Sequence, residues 1–124
     1  MNRILLEVIG ISYSNSQNGA YTLLVGEHGA KKFLPIVIGE AEAQSIVIIL
    51  ENIDHPRPMT YDLMRDITEH YSIKVKEVVI SKFKNGLFYS ELHCEHDGKV
   101  TIFDARPSDA IALALHHKCP IYTY

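Results

Sequence analysis

Apolar and β-branched residues open the chain in three strand-like runs, Ile4 to Tyr13, Tyr21 to Val25 and Phe33 to Ile38. Asn18-Gly19 and His28-Gly29 punctuate them and supply the positive φ angles that tight turns require, so a three-stranded meander is predicted. From Gly39 the period changes. Ala43, Ile46, Val47 and Leu50 fall at i, i+3, i+4 and i+7 of a helix, while Ile48, Ile49 and Ile53 add apolar surface on its other side. A helix apolar nearly all round must be covered twice, either deep inside one chain or at a subunit interface. Asp54-His55-Pro56-Arg57-Pro58 follows as a stiff loop. A second helix is predicted from an N-cap at Thr60, with Leu63, Ile67, His70 and Tyr71 along one face.

The second half repeats the arrangement. Ile73 to Phe83 and Leu87 to Cys94 are predicted strands joined by Asn85-Gly86, and Asp97-Gly98 turns into a third strand, Lys99 to Phe103. Arg106-Pro107-Ser108-Asp109 opens a third helix, Ala110 to His116, again apolar all round, and Cys119 to Tyr122 reads as a closing strand. The prediction is one α+β domain over residues 1–124, built on antiparallel β-meanders with three helices and a β-β-β-α pseudo-repeat.

Composition narrows the class. With 124 residues the chain can bury a sizeable core without a disulfide or metal staple, and 12 basic against 15 acidic residues argue against gripping nucleic acid by bulk attraction. Any nucleic-acid site must be a local basic patch. Lys74, Lys76, Lys82 and Lys84 would share one strand face if no bulge intervenes. Cys94 and Cys119 are read as two reduced, buried thiols. Glu7 interrupts what would be the apolar part of a signal peptide, and the longest apolar run, Ile46 to Leu50, is far short of the roughly 20 residues that cross a bilayer. The expected location is the cytoplasm, with no membrane partner.

His93 and His96, three apart on a strand, point to opposite faces and are not a zinc pair. His116 and His117 end a helix, where the dipole favours a cation. Two clusters carry chemistry. One is Asp54 to Asp62, with two carboxylates, an arginine, an imidazole and a phenol. The other is Asp104-Ala105-Arg106-Pro107-Ser108-Asp109, where two carboxylates flank an arginine beside an electropositive helix N-terminus. The structural reading is that Asp104 and Arg106 tie down the corner while Ser108 or Asp109 caps the helix. The chemical reading is an oxyanion site, with arginine on phosphate and carboxylates on a hard cation or a water.

Leu34-Pro35-Ile36-Val37-Ile38-Gly39 with Glu42-Ala43, Pro56 to Leu63, Gly86-Leu87-Phe88-Tyr89 and Asp104 to Leu115 together resemble the bifunctional nuclease domain family, in order along essentially the whole chain. The resemblance implies an α+β domain, often oligomeric, with nuclease activity on DNA and RNA in some members. It carries the family's motif acids and arginines onto Glu42, Arg57, Asp62, Asp104, Arg106 and Asp109. Tyr61 stands where that pattern usually has histidine, and His116 replaces the usual arginine. A phenol, with a pKa of about 10, is a poor base at neutral pH. Some members continue into a C-terminal helical interaction motif, so this chain, ending at Tyr124, reads as a trimmed form.

Two functions follow as expectations. The first is a nuclease without sequence preference that hydrolyses phosphodiester bonds in DNA or RNA. Asp104, Asp109, Asp62 and Glu42 would be its catalytic groups, and Arg106 and Arg57 its phosphate-binding groups. A divalent cation, Mg²⁺ or Mn²⁺, would sit on Asp104 and Asp109. The second is a non-enzymatic oligomerising module that binds a small anion or a partner protein. Either way a homo-oligomer is expected, a dimer first.

Overall fold

The computed structural model describes residues 2–13 and 20–124; the Asn18-Gly19 turn lies outside them. β1 (Ile4–Tyr13), β2 (Tyr21–Gly26) and β3 (Leu34–Ile38) form the first antiparallel meander, followed by α1 (Glu40–Leu50). α2 (Thr60–His70) leads into the second meander, β4 (Lys74–Lys84), β5 (Leu87–His96) and β6 (Lys99–Ala105), which is followed by α3 (Pro107–His117) and β7 (Ile121–Thr123). The β-β-β-α unit therefore occurs twice. At Asn85-Gly86 and Asp97-Gly98 every central φ is positive, 54° and 77° in one turn and 51° and 78° in the other, as two-residue hairpins need.

The closing strand does more than close. The sheet runs β3-β2-β1-β7-β4-β5-β6, so three residues of β7 sit at its centre, antiparallel to β1 and parallel to β4. They weld the two meanders into one seven-stranded sheet. Ile121 is the buried residue of this strand and joins Leu6, Val78 and Ile80 in the core.

α3 is the buried helix its composition predicts. Ala110, Ile111, Ala112, Leu113 and Ala114 are all inaccessible, and the helix packs against β3, β4 and β5 on one side and against α1 and α2 on the other. α1 buries Ala43, Ser45 and Ile46 but leaves Val47 and Leu50 exposed, so burial within one chain covers only part of its apolar surface. None of the described helices is long and apolar enough to cross a membrane.

Two expectations change. The apolar stripe of α2 faces outward: Leu63 is 54% and Ile67 49% exposed, and the buried residues are Tyr61 and Asp62. The bond from Tyr61 to Asp109 and the burial of Asp62 beside His55 and His116 set its orientation, not its hydrophobic periodicity. The N-cap is Met59, not Thr60; its N–H donates to Asp62 Oδ2 at 2.9 Å. The lysine stripe survives two irregularities in β4, between Val75 and Glu77 and between Ile80 and Lys82, because the second shift offsets the first: Lys74, Lys82 and Lys84 lie opposite Glu95, Tyr89 and Leu87, alternate residues on one face of β5.

Cys94 is a buried free thiol and Cys119 a half-buried one, whose pKa burial pushes up to about 11. Because β7 rests on one core side chain, Ile121→Ala is expected to lower stability by about 2–5 kcal/mol in urea unfolding, as large-to-small core changes do. A loss below about 1 kcal/mol would show that the weld is not where the core is held.

Candidate functional site

The polypeptide leaves β6 at Ala105, turns through Arg106 in extended conformation, and enters α3 at Pro107, whose missing N–H has no intrahelical partner in a first turn. No side chain caps this helix, so Ser108 and Asp109 are not caps. Arg106 instead lies across the corner. Its Nε donates to Asp109 Oδ2 at 2.9 Å and its Nη2 to Glu42 Oε1 at 3.1 Å, which brings the first turns of α1 and α3 together. Glu42 is well buried, and Gly39 makes room for it: a Cβ at Gly39 would stand 2.9 Å from Glu42 Oε2. Despite both partners the Arg106 side chain is 69% exposed.

That exposure faces a cleft of about 700 Å³. Glu42, Asp104 and Arg106 line it together with Pro35 to Gly39 at the end of β3 and Phe83, Leu87, Phe88 and Tyr89 of the β4–β5 hairpin. β3 and β6 are the two edges of the sheet, so their meeting at one cleft shows that the sheet is curled around α3.

α2 presents its first turn to the other side of this corner. Tyr61 Oη donates to Asp109 Oδ1 at 2.8 Å across 48 positions of sequence. Burial, then the bond to Asp109, pushes the Tyr61 phenol far above its ordinary range, so it is a fixed donor and not a base. Burial opposes ionisation of Asp109, but hydrogen bonds from Arg106 and Tyr61 outweigh it and hold its carboxyl below the usual carboxylate range.

Asp62 begins a second cluster. Its Oδ2 accepts from His55 Nε2 at 2.7 Å, and its Oδ1 lies 3.7 Å from His116 Nε2 and 3.8 Å from Arg65 Nη2. Burial again opposes ionisation and is outweighed, here by the Met59 N–H and by His55, so the Asp62 carboxyl is held low. His55 titrates above its ordinary value because its two nitrogens face the Ile53 carbonyl and Asp62, both acceptors. His55, Arg57, Asp62, Arg65 and His116 line a separate cavity of about 350 Å³.

The two sequence clusters thus share one boundary and open into two cavities. Tyr61 is the partition: its hydroxyl holds Asp109 and its ring lies 5.6 Å from that of His116. Glu42, Asp104 and Arg106 line the larger cleft, with Asp109 behind them on Arg106, and Arg57 and Asp62 line the smaller. The helix-end histidines are not dipole-stabilised surface cations. His116 is buried with Nδ1 on the Ala112 carbonyl at 2.7 Å, and desolvation pushes His117 below its ordinary pKa. Sequence reasoning gives His116 only a helix-dipole role and does not show the Tyr61–Asp109 bond; the i, i+7 spacing of Asp109 and His116 on α3 is the signal that one face of the helix carries both.

The expected metal ligands do not form a cage. Among the described residues no three His, Cys, Asp or Glu side chains are grouped to hold an ion. Asp109 spends one oxygen on Tyr61 and the other on Arg106, and Glu42 is engaged by Arg106. Asp104 is the cleft carboxylate with no ion-pair partner among the described residues. One such group does not fit a resident divalent cation.

Residues 23–124, which contain every group named above, match the bifunctional nuclease domain. The chain belongs to the bifunctional nuclease domain family. An uncharacterised protein of Mycobacterium tuberculosis is 38% identical over 117 residues, 94% of this chain and 69% of that protein. Bifunctional nuclease 1 of Oryza sativa subsp. japonica is 33% identical over 98 residues, 77% of this chain and 30% of that protein. Bifunctional nuclease 2 of Arabidopsis thaliana is 29% identical over 98 residues, with the same shares. The chain spans less than a third of the plant bifunctional nucleases it matches.

In this member of the bifunctional nuclease domain family the Tyr61 hydroxyl should be measurable through Asp109. Tyr61→Phe is expected to raise the Asp109 carboxyl toward its ordinary value, read by carbon-13 NMR titration, and to cost about 1–2 kcal/mol at neutral pH. A carboxyl held low stabilises the fold above the unfolded carboxylate range and loses that contribution as pH falls through its folded pKa. The difference between the two proteins should therefore shrink below about pH 4. An unmoved Asp109 titration would mean the hydroxyl does not set its charge.

Proposed function

We propose that the protein is a nuclease without sequence preference that hydrolyses phosphodiester bonds of DNA or RNA in the cleft at Arg106. The carrying observation is that Arg106 is clamped on Glu42 and Asp109 yet remains 69% exposed where Asp104 also reaches the cleft. Ion pairs this exposed contribute about 0–1 kcal/mol each, so stability is a weak reason for the arrangement, and aiming the guanidinium is a stronger one. In this reading the outward part of Arg106 receives the phosphate and stabilises the charge that develops on it. Asp104 orients the attacking water and takes its proton. Glu42 and Asp109 hold Arg106 in place, and Tyr61 holds Asp109. Asp62 and Arg57, in the neighbouring cavity, act through the position of α2. Nucleic acid is the proposed partner, and the free thiols of Cys94 and Cys119 suit a cytoplasmic setting.

Purified protein is expected to cleave labelled DNA or RNA in Mg²⁺ buffer. Arg106→Ala should lower kcat/KM by about 100-fold or more, the scale of losing one preorganised donor. Arg106→Lys should fall between, because an ammonium keeps the charge without the planar fork. Asp104→Asn should abolish cleavage while leaving the unfolding midpoint unchanged. Cleavage that survives Arg106→Ala overturns this reading.

The oligomerising alternative has one observation of its own: Val47, Leu50 and Ile53 by α1, and Leu63, Ile67 and Tyr71 by α2, are exposed apolar side chains. We propose that they support a homodimer in either function. Light scattering at micromolar concentration should give twice the mass of one chain, and a monomer there would remove the proposal.

A further inference from the structure

The cleft at Arg106 has a second wall that charge chemistry leaves unused. It is the end of the β4–β5 hairpin, where the Asn85-Gly86 turn sets Lys82 opposite Tyr89, Phe83 opposite Phe88 and Lys84 opposite Leu87. The Phe83 and Phe88 rings are 4.5 Å apart, centroid to centroid, and tilted by 47°. Phe88 packs against the core and anchors the pair, whereas Phe83 is 61% exposed and lines the cleft. Tyr89, also in the cleft wall, carries Lys82 Nζ 5.1 Å from its ring centroid.

An aromatic ring held open to water in the same cleft as a guanidinium is poorly explained by folding, since Phe83 has little to bury against at the tip of a hairpin. It is well suited to a nucleotide, whose base offers a π face and whose phosphate offers charge. Two hairpin lysines, Lys84 and Lys82 over the ring of Tyr89, add the attraction a polyanion needs in an otherwise acidic chain. A base can lie against a side-chain ring only when it has left its own stack. In a duplex that costs about a few kcal/mol for each base extruded, and in a single strand far less.

We infer that the β4–β5 hairpin is a base-stacking platform, led by Phe83, that selects single-stranded nucleic acid for the cleft at Arg106. The inference rests on the phosphodiesterase reading of that cleft and adds to it the form of substrate and the residue that recognises it. The turn and the strand register set Phe83 against Phe88, so the pair is already formed before substrate arrives. Stacking on a ring tolerates every base, which fits cleavage without sequence preference.

The test is fluorescence anisotropy with three labelled probes of about 12 nucleotides, the range one such groove covers: oligothymidine, the same backbone without bases, and a duplex. The full chain and Phe83→Ala, Phe83→Trp and Arg106→Ala variants are compared, with circular dichroism as a check on folding. Oligothymidine is expected to bind about 10-fold or more tightly than either other probe, and Phe83→Ala should remove that margin, as loss of one stacked base does. Phe83→Trp should keep the margin. Equal affinity for strands with and without bases, or an unaffected margin in Phe83→Ala, overturns the platform and leaves the phosphodiesterase reading standing. Base-dependent binding with no cleavage of any strand supports the platform and overturns the phosphodiesterase. No binding of any probe overturns both.

Discussion

A helix apolar on every side cannot rest on a flat sheet, and that constraint organises this molecule. Ile111 and its alanine neighbours on α3 have no face that tolerates water, so protein must cover the helix all round. The sheet supplies part of the cover by curling, with β3, β4 and β5 against the helix, and α1 and α2 supply the rest. Curling brings the two sheet edges to one cleft. The N-terminal turn of α3, where the polar residues are, emerges there. Burial of α3 all round therefore fixes the place where its charged end meets solvent.

The charges at that end are arranged for orientation. Glu42 and Asp109 reach Arg106 from two helices, and Tyr61 reaches Asp109 from a third. Removing any one would free the others to rotate. Because Arg106 itself is open to solvent, water screens its attraction to either carboxylate, and the network contributes little to folding compared with the core. Its value lies in fixing a guanidinium that would otherwise sample many rotamers. Gly39 belongs to the same device, since any Cβ there would press on the Glu42 carboxylate that forms one jaw of the clamp.

Much of this was legible in the chain and some was not, for reasons that differ by residue. The strands and the Asn85-Gly86 and Asp97-Gly98 turns follow from local preference, and α3 declares its burial because no polar face competes. The tie between the Arg106 corner and Glu42 could be named as residues but not as a contact, because 64 positions separate them. α2 misled for a physical reason. Leu63 and Ile67 lie at helical spacing, and periodicity identifies a face without saying which way it turns. Tyr61 and Asp62 point inward and leave that face outside, Tyr61 through its hydrogen bond to Asp109 and Asp62 through its approach to His116, which no local pattern encodes. β7 was read as a strand, but three residues carry no information about whether they lie at an edge or at the centre.

The phenol at position 61 bears on how the clamp responds to pH. An imidazole there would titrate near neutrality and exchange its hydrogen-bonding role as it did so. The Tyr61 hydroxyl is pushed away from ionisation by burial and by Asp109, so it keeps donating throughout the range in which proteins work. Asp109 is held charged by the same bond, and Arg106 is held by Asp109. The clamp on the guanidinium is then constant across that range. On the other side of the partition His55 titrates above its ordinary value, facing the Ile53 carbonyl and Asp62, so a group that changes charge toward neutrality lies there and not in the clamp.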